Sequence, residues 1–399
     1  MHRLVEARLA SFPVVIVTGA RQTGKSTLVR HLGGQARTYL TLDDLNVLDQ
    51  AEQAPDELLS RGALLTLDEI QRAPDLLLAI KRAVDKRRIP GQFLLTGSAN
   101  LQLMKGVSET LAGRAVYVTL WPMTRGEAEG RGRVGRWDIF FERPSDEWLS
   151  VVQKTCEASP AEWTELAFRG GYPDPAVTLS SSDDRTAWFE GYLRTYLERD
   201  LQQLASIDNL VGFQRLIRAT ALRIGNPMNQ AELARDTGLS PTTAQRYLNL
   251  LETSYQLVRV EAYSVNRTKR LVKSPKMYWS DTGLALHLTA EEAARGAHLE
   301  NLIMTDLLAW RETRIRRPNI LFWRTSRGQE VDFVVETATN LLPIEVKSSS
   351  SLRTEDARHL TTFIREYPEM ASAGLLIYGG EEAYWLRDRV LAVPWSSIL

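Results

Sequence analysis

The stretch that decides the fold of this chain is Val14-Val15-Ile16-Val17-Thr18-Gly19-Ala20-Arg21-Gln22-Thr23-Gly24-Lys25-Ser26-Thr27. It begins with a β-branched run typical of a buried strand and ends in residues that can open a helix. Between the two, Gly19 and Gly24 bracket four residues and are followed by Lys25 and Ser26, which completes the phosphate-loop pattern G-x-x-x-x-G-K-[ST]. The alternative, a glycine-rich turn that binds nothing, fits this strand–loop–helix context less well.

The residue types of this loop suit the binding of nucleotide phosphates. Its glycines let successive backbone N–H groups turn inward, and the helix N-terminus adds a partial positive charge. We expect Lys25 to reach the β- and γ-phosphates and the Ser26 hydroxyl to bind Mg²⁺, while Arg21 is a weaker candidate for sensing phosphate. The predicted nucleotide-binding residues of the loop are Gly19, Ala20, Arg21, Gln22, Thr23, Gly24, Lys25, Ser26 and Thr27.

Composition limits the class of protein. The chain has 399 residues, enough for two or three domains, with 44% hydrophobic and 25% charged residues, as in ordinary globular proteins. Lys plus Arg and Asp plus Glu both number 49, so net charge predicts no overall attraction to nucleic acid or membranes. Cys156 is the only cysteine, which excludes an internal disulfide and favours a cytoplasmic location. Because no apolar run approaches about 18 residues and no signal-peptide core is present, we expect no membrane segment.

A second chemical element follows the next apolar run. Ala63–Leu67 reads as a buried strand and delivers Asp68 and Glu69 at its carboxyl end. In a phosphate-loop enzyme we expect Asp68 to hold the Mg²⁺ shell and Glu69 to polarise the attacking water. The alternative is an acidic turn after a core strand. The alternation of short apolar runs and helical patterns, to which this strand belongs, predicts an α/β fold with a parallel sheet.

Two further candidates lie at the ends of later elements. Gln92–Thr96 reads as a strand whose polar tip includes Ser98 and Asn100, and either side chain is a candidate to bond the water or the γ-phosphate. Residues 108–114 end a helix at Arg114, just before the predicted strand Ala115–Leu120. An arginine at a helix C-terminus is also favoured by the helix dipole alone, so a surface role for Arg114 is the alternative.

The order of these parts resembles the AAA-type P-loop ATPases. The resemblance covers the phosphate loop, the Asp68-Glu69 pair and the polar strand tip, which follow one another in the family's order. It implies that Arg114 is an arginine finger that reaches the γ-phosphate of a neighbouring subunit. It also implies ATP and Mg²⁺ as cofactors and self-association, with a hexamer as one assembly that the family allows.

Residues 126–205 are predicted to form a helical lid. Within it, Gly170-Gly171-Tyr172-Pro173 resembles the nucleotide-contacting turn of prokaryotic ATPases related to the AAA and STAND groups. That resemblance implies a cofactor contact at Pro173, where two glycines would permit close approach and proline would stiffen the turn. The alternative is a plain interhelical turn. The aromatic stripe of the predicted helix Trp188–Leu201 is interpreted as core.

Residues 206–280 have the pattern of a winged helix-turn-helix. Gln230–Thr237 and Pro241–Glu252 are the two predicted helices, and Ser240 is the predicted N-cap of the second. The segment Asn266–Lys276 between the predicted wing strands is basic and contains no acid. We expect the second helix to enter a DNA groove and the wing to contact phosphates, with protein binding as the alternative. The predicted DNA-binding residues are Thr242, Thr243, Arg246, Arg267, Lys269 and Arg270.

Residues 281–399 carry a second constellation. Asp332 lies on one predicted strand, and Glu345 and Lys347 lie two residues apart on its hairpin partner, so all three are expected to face one another. Two carboxylates and a lysine can bind Mg²⁺ and activate water, which makes Asp332, Glu345 and Lys347 a candidate second metal site. The spacing resembles the PD-(D/E)XK nucleases, in which Glu300 matches a further acid. A related fold kept only for binding is the alternative.

Taken together, the parts resemble prokaryotic AAA-type ATPases of the AAA_14 kind with a C-terminal DUF4143 domain of restriction-endonuclease-like fold. The sequence therefore predicts four domains: a P-loop NTPase core (1–125), a helical lid (126–205), a winged helix (206–280) and a nuclease-like α/β domain (281–399). The leading hypothesis is a Mg²⁺-dependent ATPase that self-associates and acts on DNA, as a remodeller or translocase. The alternatives are a nucleotide-gated switch that binds a protein partner and an ATP-gated DNA nuclease.

Overall fold

A computed structural model describes residues 1–32, 37–97, 111–132, 135–155, 162–200, 207–270 and 273–399. It divides into two compact units. The first comprises Met1–Trp121 with Leu250–Gln256, and the second comprises Pro122–Asn249 with Leu257–Leu399.

The first unit is built on a five-stranded parallel sheet. Its strands are β1 (Val14–Thr18), β2 (Thr38–Thr41), β3 (Leu65–Asp68), β4 (Phe93–Thr96) and β5 (Ala115–Thr119). Their order across the sheet is β2-β3-β4-β1-β5, and every pairing is parallel. Since β1 is an interior strand between β4 and β5, the loop that follows it opens at the sheet's carboxyl edge, where ligands of open α/β sheets bind.

Helices cover this sheet because their apolar positions recur at helical spacing. The helices of the first unit are α1 (His2–Leu9), α2 (Lys25–Arg30), α3 (Leu45–Gln53), α4 (Pro55–Leu59) and α5 (Leu76–Lys86). Leu76, Leu77, Ile80 and Val84 of α5 are buried with the residues of β1, β3 and β4 in one core. All five residues of β1 are buried, as expected for a central strand of a parallel sheet.

The second unit begins with a series of helices. Those before its sheet are α6 (Arg125–Ala128), α7 (Ile139–Glu142), α8 (Trp148–Thr155), α9 (Trp163–Arg169), α10 (Ser182–Tyr192), α11 (Leu210–Ala221), α12 (Gln230–Thr237) and α13 (Pro241–Thr253). The last residues of α13, from Leu250, group with the first unit. The later helices are α14 (Arg267–Arg270), α15 (Thr282–Thr289), α16 (Gly296–Thr313), α17 (Arg358–Glu366) and α18 (Trp395–Ile398).

An eight-stranded mixed sheet runs through the second unit. Its strands are β6 (Leu257–Ala262), β7 (Lys276–Trp279), β8 (Asn319–Arg324), β9 (Glu330–Glu336), β10 (Leu341–Lys347), β11 (Gly374–Tyr378), β12 (Tyr384–Arg387) and β13 (Val390–Pro394). Their order is β12-β13-β11-β10-β9-β8-β6-β7. The antiparallel hairpin of β6 and β7 therefore belongs to the same sheet as the strands near the C-terminus, through the parallel pairing of β6 with β8.

One predicted helix differs in the structure. The sequence pattern predicts a continuous helix over Trp188–Leu201, whereas α10 ends at Tyr192 and the backbone continues as a π-helix over Leu193–Asp200. The core assignment of its aromatic stripe is confirmed, since Phe189, Tyr192 and Tyr196 are buried. Among the described residues, no helix is both long and apolar enough to span a bilayer.

Candidate functional site

The phosphate loop connects the end of β1 to the start of α2. Gly19 has a φ of 148°, and a Cβ on it would collide with the carbonyl oxygen of Leu120. Gly24 precedes α2 with a left-handed φ of 87°. These two positions demand glycine for different reasons, close approach in one case and backbone conformation in the other. The structure therefore brings the predicted loop residues together in the strand–loop–helix context that the sequence indicates.

Lys25 is folded back onto this loop. Its side chain is 5% exposed, and Nζ donates to the carbonyl oxygens of Ala20 at 2.6 Å and Gly19 at 3.2 Å. Burial lowers the pKa of Lys25 to about 8, although the negative charges of Glu69 and Asp68 act in the opposite direction. An anion bound against Nζ would stabilise the ammonium form, so the lysine is suited to binding phosphate.

Asp68 ends β3 and collects three hydroxyl donors. Ser26 Oγ donates to Oδ1 at 3.0 Å, Tyr39 donates to Oδ2 at 2.6 Å, and the Thr96 hydroxyl also donates to Oδ1. The carboxylate is buried, so these bonds fix its position beside the loop. The oxygen atoms of Ser26 and Asp68 are the hard ligands that Mg²⁺ prefers, and they lie next to each other. The residues present thus fit the Mg²⁺ that a phosphate-loop site takes.

Glu69 adopts a left-handed backbone conformation with a φ of 59°, which is uncommon outside glycine. Its N–H donates to Thr96 Oγ1 at 3.1 Å, and its carboxylate accepts a hydrogen bond from the Gln71 amide. Thr96 therefore bonds both members of the acidic pair. Sequence reasoning missed Thr96 and Tyr39 as site residues, and the available signal for Thr96 was its place at the end of the predicted strand Gln92–Thr96. The predicted sensors Ser98 and Asn100 lie outside the described residues.

Arg114 is paired within its own chain. Its guanidinium forms two hydrogen bonds with Asp85 of α5, Nε to Oδ1 at 2.6 Å and Nη2 to Oδ2 at 2.9 Å. This pairing lowers the pKa of the Asp85 carboxyl. A finger role in a neighbouring subunit would require Arg114 to exchange Asp85 for phosphate, and that role stays a prediction.

The Gly170-Gly171 turn, in the second unit, contacts a carboxylate. The Gly171 N–H donates to Asp281 Oδ2 at 2.6 Å, and a Cβ on Gly170 would lie 2.6 Å from Asp281 Oδ1. Burial raises the pKa of Asp281, although backbone N–H groups, Gly171 first, oppose the shift. In this conformation the two glycines admit Asp281, which sequence reasoning did not single out. Contact between Pro173 and a nucleotide stays a prediction.

Helices α12 and α13 are joined by a tight turn. Gly238 ends α12 in the left-handed region, and Ser240 accepts a 3.1 Å hydrogen bond from the Thr243 N–H at the start of α13. Thr242 and Arg246 are exposed on α13, whereas Thr243 is half-buried and its hydroxyl bonds that of Ser240. Asn249 is exposed one helical turn after Arg246, and periodicity on α13 was the signal that could have added it to the predicted interface.

The structure contradicts one predicted DNA contact in the basic segment after β6. Arg267 and Lys273 are exposed, and the side chain of Lys269 lies outside the described residues. Arg270 was predicted to bind DNA phosphates, but it is 6% exposed and forms a bidentate pair with Glu336 at 2.7 and 2.8 Å. Lys276 is buried too. The prediction of Arg270 as a DNA contact was wrong because its charge is already neutralised inside the second unit.

The structure brings Asp332, Glu345 and Lys347 to adjacent strands, as predicted. Lys347 Nζ donates to Glu345 Oε1 at 2.7 Å, and Asp332 Oδ2 accepts a 2.9 Å hydrogen bond from the Val346 N–H. Burial, together with the charge of Asp332, raises the pKa of Glu345 to about 8. A residue that the sequence prediction did not assign to this site also reaches it, since Lys276 Nζ lies 3.1 Å from Asp332 Oδ1.

Comparison with protein families assigns three consecutive regions of the chain. Residues 11–129 match the family described as AAA domain. Residues 160–295 match a domain of unknown function, DUF8612, and residues 295–398 match another, DUF4143. The first unit therefore combines an AAA-domain match with a parallel α/β sheet of the P-loop NTPase type.

Curated relatives match almost the whole chain. The uncharacterized protein Rv2008c of Mycobacterium tuberculosis is 33% identical over 399 residues, which cover 97% of this chain and 81% of the relative. The chain belongs to the family of this protein. The uncharacterized protein Mb2031c of Mycobacterium bovis matches with the same identity and coverage. A Haemophilus influenzae member is 20% identical over 400 residues, covering 94% of this chain and 92% of its own.

Solved structures show weaker likeness. The Walker-type ATPase PABY2304 of Pyrococcus abyssi is 15% identical, with a TM-score of 0.42, and the match covers 72% of this chain and 94% of that one. Cdc6p from Pyrobaculum aerophilum is 13% identical, with a TM-score of 0.24, and the match covers 76% and 93% of the two chains.

Proposed function

We propose that this protein is a Mg²⁺-dependent ATPase that self-associates and uses ATP to bind or remodel DNA. The observation that carries the ATPase proposal is the hydrogen-bonded set at the carboxyl edge of the first sheet. There, Ser26 and Thr96 both donate to Asp68, and Glu69 is the next residue. This set supplies the side chains that phosphoryl transfer to water requires.

Each residue of the set has a separate task in hydrolysis. The backbone N–H groups of the loop and the Lys25 ammonium bind the phosphates and balance their charge. Glu69 orients the attacking water and accepts its proton, while Thr96 positions the backbone at Glu69 and the carboxylate of Asp68. Mg²⁺ held by Ser26 and Asp68 would neutralise charge that develops on the phosphate oxygens.

The DNA part of the proposal rests on the α12–turn–α13 segment. Its second helix exposes Thr242, Arg246 and Asn249 along one side, and Arg267 and Lys273 are exposed after β6. Hydroxyl, amide and guanidinium groups are the types that read base edges and bind phosphates. We assign this region, residues 206–280, as a winged helix, with residues 1–125 as the ATPase core, 126–205 as its lid and 281–399 as the last domain.

Self-association is proposed because the AAA-type resemblance implies that Arg114 serves the γ-phosphate of a neighbouring subunit. In the proposed assembly, Arg114 leaves Asp85 and contacts the γ-phosphate bound by the adjacent subunit. A finger of this kind contributes about 10³–10⁵ in rate where it operates. The lid turn with Pro173 completes the proposed nucleotide contacts.

One experiment tests the proposal as a whole. The steady-state ATPase rate and the oligomeric state of the purified protein are measured with single-stranded DNA, with duplex DNA and without DNA. We expect hydrolysis that requires Mg²⁺ and is stimulated by at least one DNA form, and Lys25→Ala should abolish it. If no DNA form changes the ATPase rate, a nucleotide-gated switch that binds a protein partner is the better explanation. If the protein does not hydrolyse ATP, the proposal is wrong.

A further inference from the structure

Lys276 is a buried lysine at the centre of an acidic cluster in the second unit. Its side chain is 1% exposed, and Nζ lies 3.0 Å from Glu300 Oε1, 2.7 Å from Glu330 Oε1 and 3.1 Å from Asp332 Oδ1. The lysine comes from β7, Glu300 from α16, and the other two carboxylates from β9. One ammonium therefore joins three elements that are distant in sequence.

Further groups hold the carboxylates in place around the ammonium, and Arg324 Nε lies 3.5 Å from Glu330 Oε2. The Tyr278 hydroxyl donates to Glu300 Oε1, and the Val346 N–H donates to Asp332 Oδ2. Burial, and then the charge of Asp332, raises the pKa of Glu300 to about 7, whereas Lys276 itself acts to lower it. Without the Lys276 ammonium, the largely buried carboxylates of Glu300 and Asp332 would repel each other uncompensated, which is costly in a poorly solvated site.

The Lys276 ammonium lies where the carboxylate oxygens of Glu300, Glu330 and Asp332 converge. Lysine–carboxylate hydrogen bonds have N–O distances of about 2.7–3.1 Å, as found for Lys276. Mg²⁺ needs oxygen ligands at about 2.0–2.1 Å and Ca²⁺ at about 2.3–2.6 Å. A divalent cation bound by Asp332 would also be repelled by the Lys276 ammonium, which lies 3.1 Å from Asp332 Oδ1. The residues present thus do not fit the metal that the resemblance to nucleases implies for this site.

Glu345, the other carboxylate predicted to bind metal, lies next to this cluster. Its Oε1 pairs with Lys347, while Oε2 is buried and has no hydrogen-bond partner in the part of the chain that the structure describes. Asp332 is close enough for its charge to raise the pKa of Glu345. Glu345 thus has a carboxylate oxygen that could accept a further ligand, but the neighbouring Asp332 already accepts a hydrogen bond from the Lys276 ammonium.

We propose that Lys276 is the resident cation of this site and takes the place of a divalent metal. The cluster holds α16 and β9 to β7 as an internal ion network, and the last domain binds no catalytic metal and cleaves no phosphodiester. This inference does not depend on the proposed ATPase function, because the two sites lie in separate units. It predicts that removing the lysine's charge creates a divalent-metal site that the natural chain lacks.

The test compares Mn²⁺ binding to the nucleotide-free protein in three forms: wild type, Lys276→Met and Lys347→Met. All three, including the form that is wild type at Lys276 and Lys347, carry Ser26→Ala and Asp68→Asn, so that neither proposed ligand of the phosphate-loop metal remains. We expect Mn²⁺ to leave the melting temperature of the wild-type and Lys347→Met forms unchanged. For Lys276→Met, which starts less stable, saturating Mn²⁺ should raise the melting temperature by at least about 2–4 °C.

Two results would overturn the inference. The first is Mn²⁺ binding by the form that retains Lys276, if that binding is lost on Asp332→Asn or Glu300→Gln. The second is a folded Lys276→Met form that shows no response to Mn²⁺. If Lys276→Met does not fold, Lys276→Met combined with Glu330→Gln removes one charge of each sign and is measured instead. The same forms are incubated with duplex and single-stranded DNA and Mn²⁺, and cutting that requires Glu345 in the lysine-containing form would also contradict the inference.

Discussion

The Tyr255 hydroxyl donates a 2.9 Å hydrogen bond to Oγ1 of Thr18, the last residue of β1 and the neighbour of Gly19. Tyr255 follows the end of α13 and belongs with the first unit, where its ring lies edge-on to Trp121 with centroids 5.7 Å apart. Its φ of 59° is left-handed, a conformation that costs on the order of 1–3 kcal/mol and persists only when contacts enforce it. The segment that follows α13 is therefore hydrogen-bonded to the strand that precedes the phosphate loop.

We expect Tyr255→Phe to weaken the response of the ATPase to DNA. The change removes one buried hydrogen bond, which should cost about 1 kcal/mol of unfolding free energy, and it frees the end of α13 from β1. The basal ATPase rate should change less than its stimulation by DNA. Tyr378→Phe is the matched control, since it removes the hydrogen bond from a buried tyrosine hydroxyl to the Glu382 carbonyl oxygen, in the second unit. Equal loss of stimulation in both variants would mean that stability alone is responsible.

For hydrolysis, we expect Glu69→Gln to keep ATP binding and to slow turnover by about 10²–10⁴, because it removes only the water-orienting carboxylate. Thr96→Val should also slow turnover without preventing binding, since it removes the hydroxyl that bonds Asp68 and the Glu69 N–H. Single-turnover rates and ATP dissociation constants measure the two effects separately. Wild-type turnover in Glu69→Gln would show that another group orients the water.

ATP affinity should depend on pH through Lys25. The pKa of Lys25 is lowered to about 8 in the free protein, and a bound phosphate raises it, so binding above pH 8 requires uptake of a proton. Affinity should therefore be constant below pH 8 and fall by up to about tenfold per pH unit above it. Titrations with a fluorescent ATP analogue between pH 7 and 9.5 measure this. In Lys25→Arg, whose guanidinium stays charged, any remaining affinity should not follow this profile.

Arg114 and Asp85 offer a matched pair of substitutions. If Arg114 is a finger, Arg114→Ala should abolish most ATPase activity, whereas Asp85→Ala should not, because it only releases the arginine. Mixing Arg114→Ala with Lys25→Ala subunits should restore part of the activity, since some junctions then combine an intact loop with an intact arginine. Equal, mild effects of both substitutions and no rescue on mixing would indicate a surface ion pair.

Replacing an exposed arginine should change the salt dependence of DNA binding, whereas replacing the buried Arg270 should change stability. Arg246→Ala and Arg267→Ala should each reduce the slope of log affinity against log salt by about 0.9 if each arginine contacts a phosphate. Arg270→Ala should instead lower the melting temperature, because Glu336 would be left without its partner; breaking such a buried pair costs about 3–5 kcal/mol. A change of slope in Arg270→Ala at unchanged stability would restore Arg270 to the DNA interface.

The local parts of the fold could be predicted from the sequence. The runs around Val14–Thr18 and Leu65–Asp68 are short, apolar and bounded by turn residues, and these features located β1 and β3 to within a residue or two. The pattern of the phosphate loop likewise needs only neighbouring residues. The strand pairing of β9 with β10 followed from their short connection, which favours an antiparallel hairpin.

What the sequence did not reveal depends on partners far along the chain. Arg270 lies in a basic segment without acidic residues, a pattern typical of an exposed surface. Its burial and its pairing with Glu336 are seen only in the folded chain. Thr96 and Tyr39 acquire their roles because parallel strands bring their hydroxyls to Asp68. Lys276 could not be assigned to the acidic cluster because its contacts depend on the order of strands in the sheet, which local periodicity does not determine.

The parallel pairing of β6 with β8 makes residue 281 a poor place to divide the protein. A fragment of residues 281–399 would lack β6, so the backbone groups of Leu321 and Phe322 that pair with Glu261 and Ala262 would become an open strand edge. Such edges can pair with strands of other molecules, so we expect the fragment to aggregate. The fragment would also lose the ammonium that neutralises its own acidic residues. A soluble fragment should instead begin before β6 and retain the hairpin.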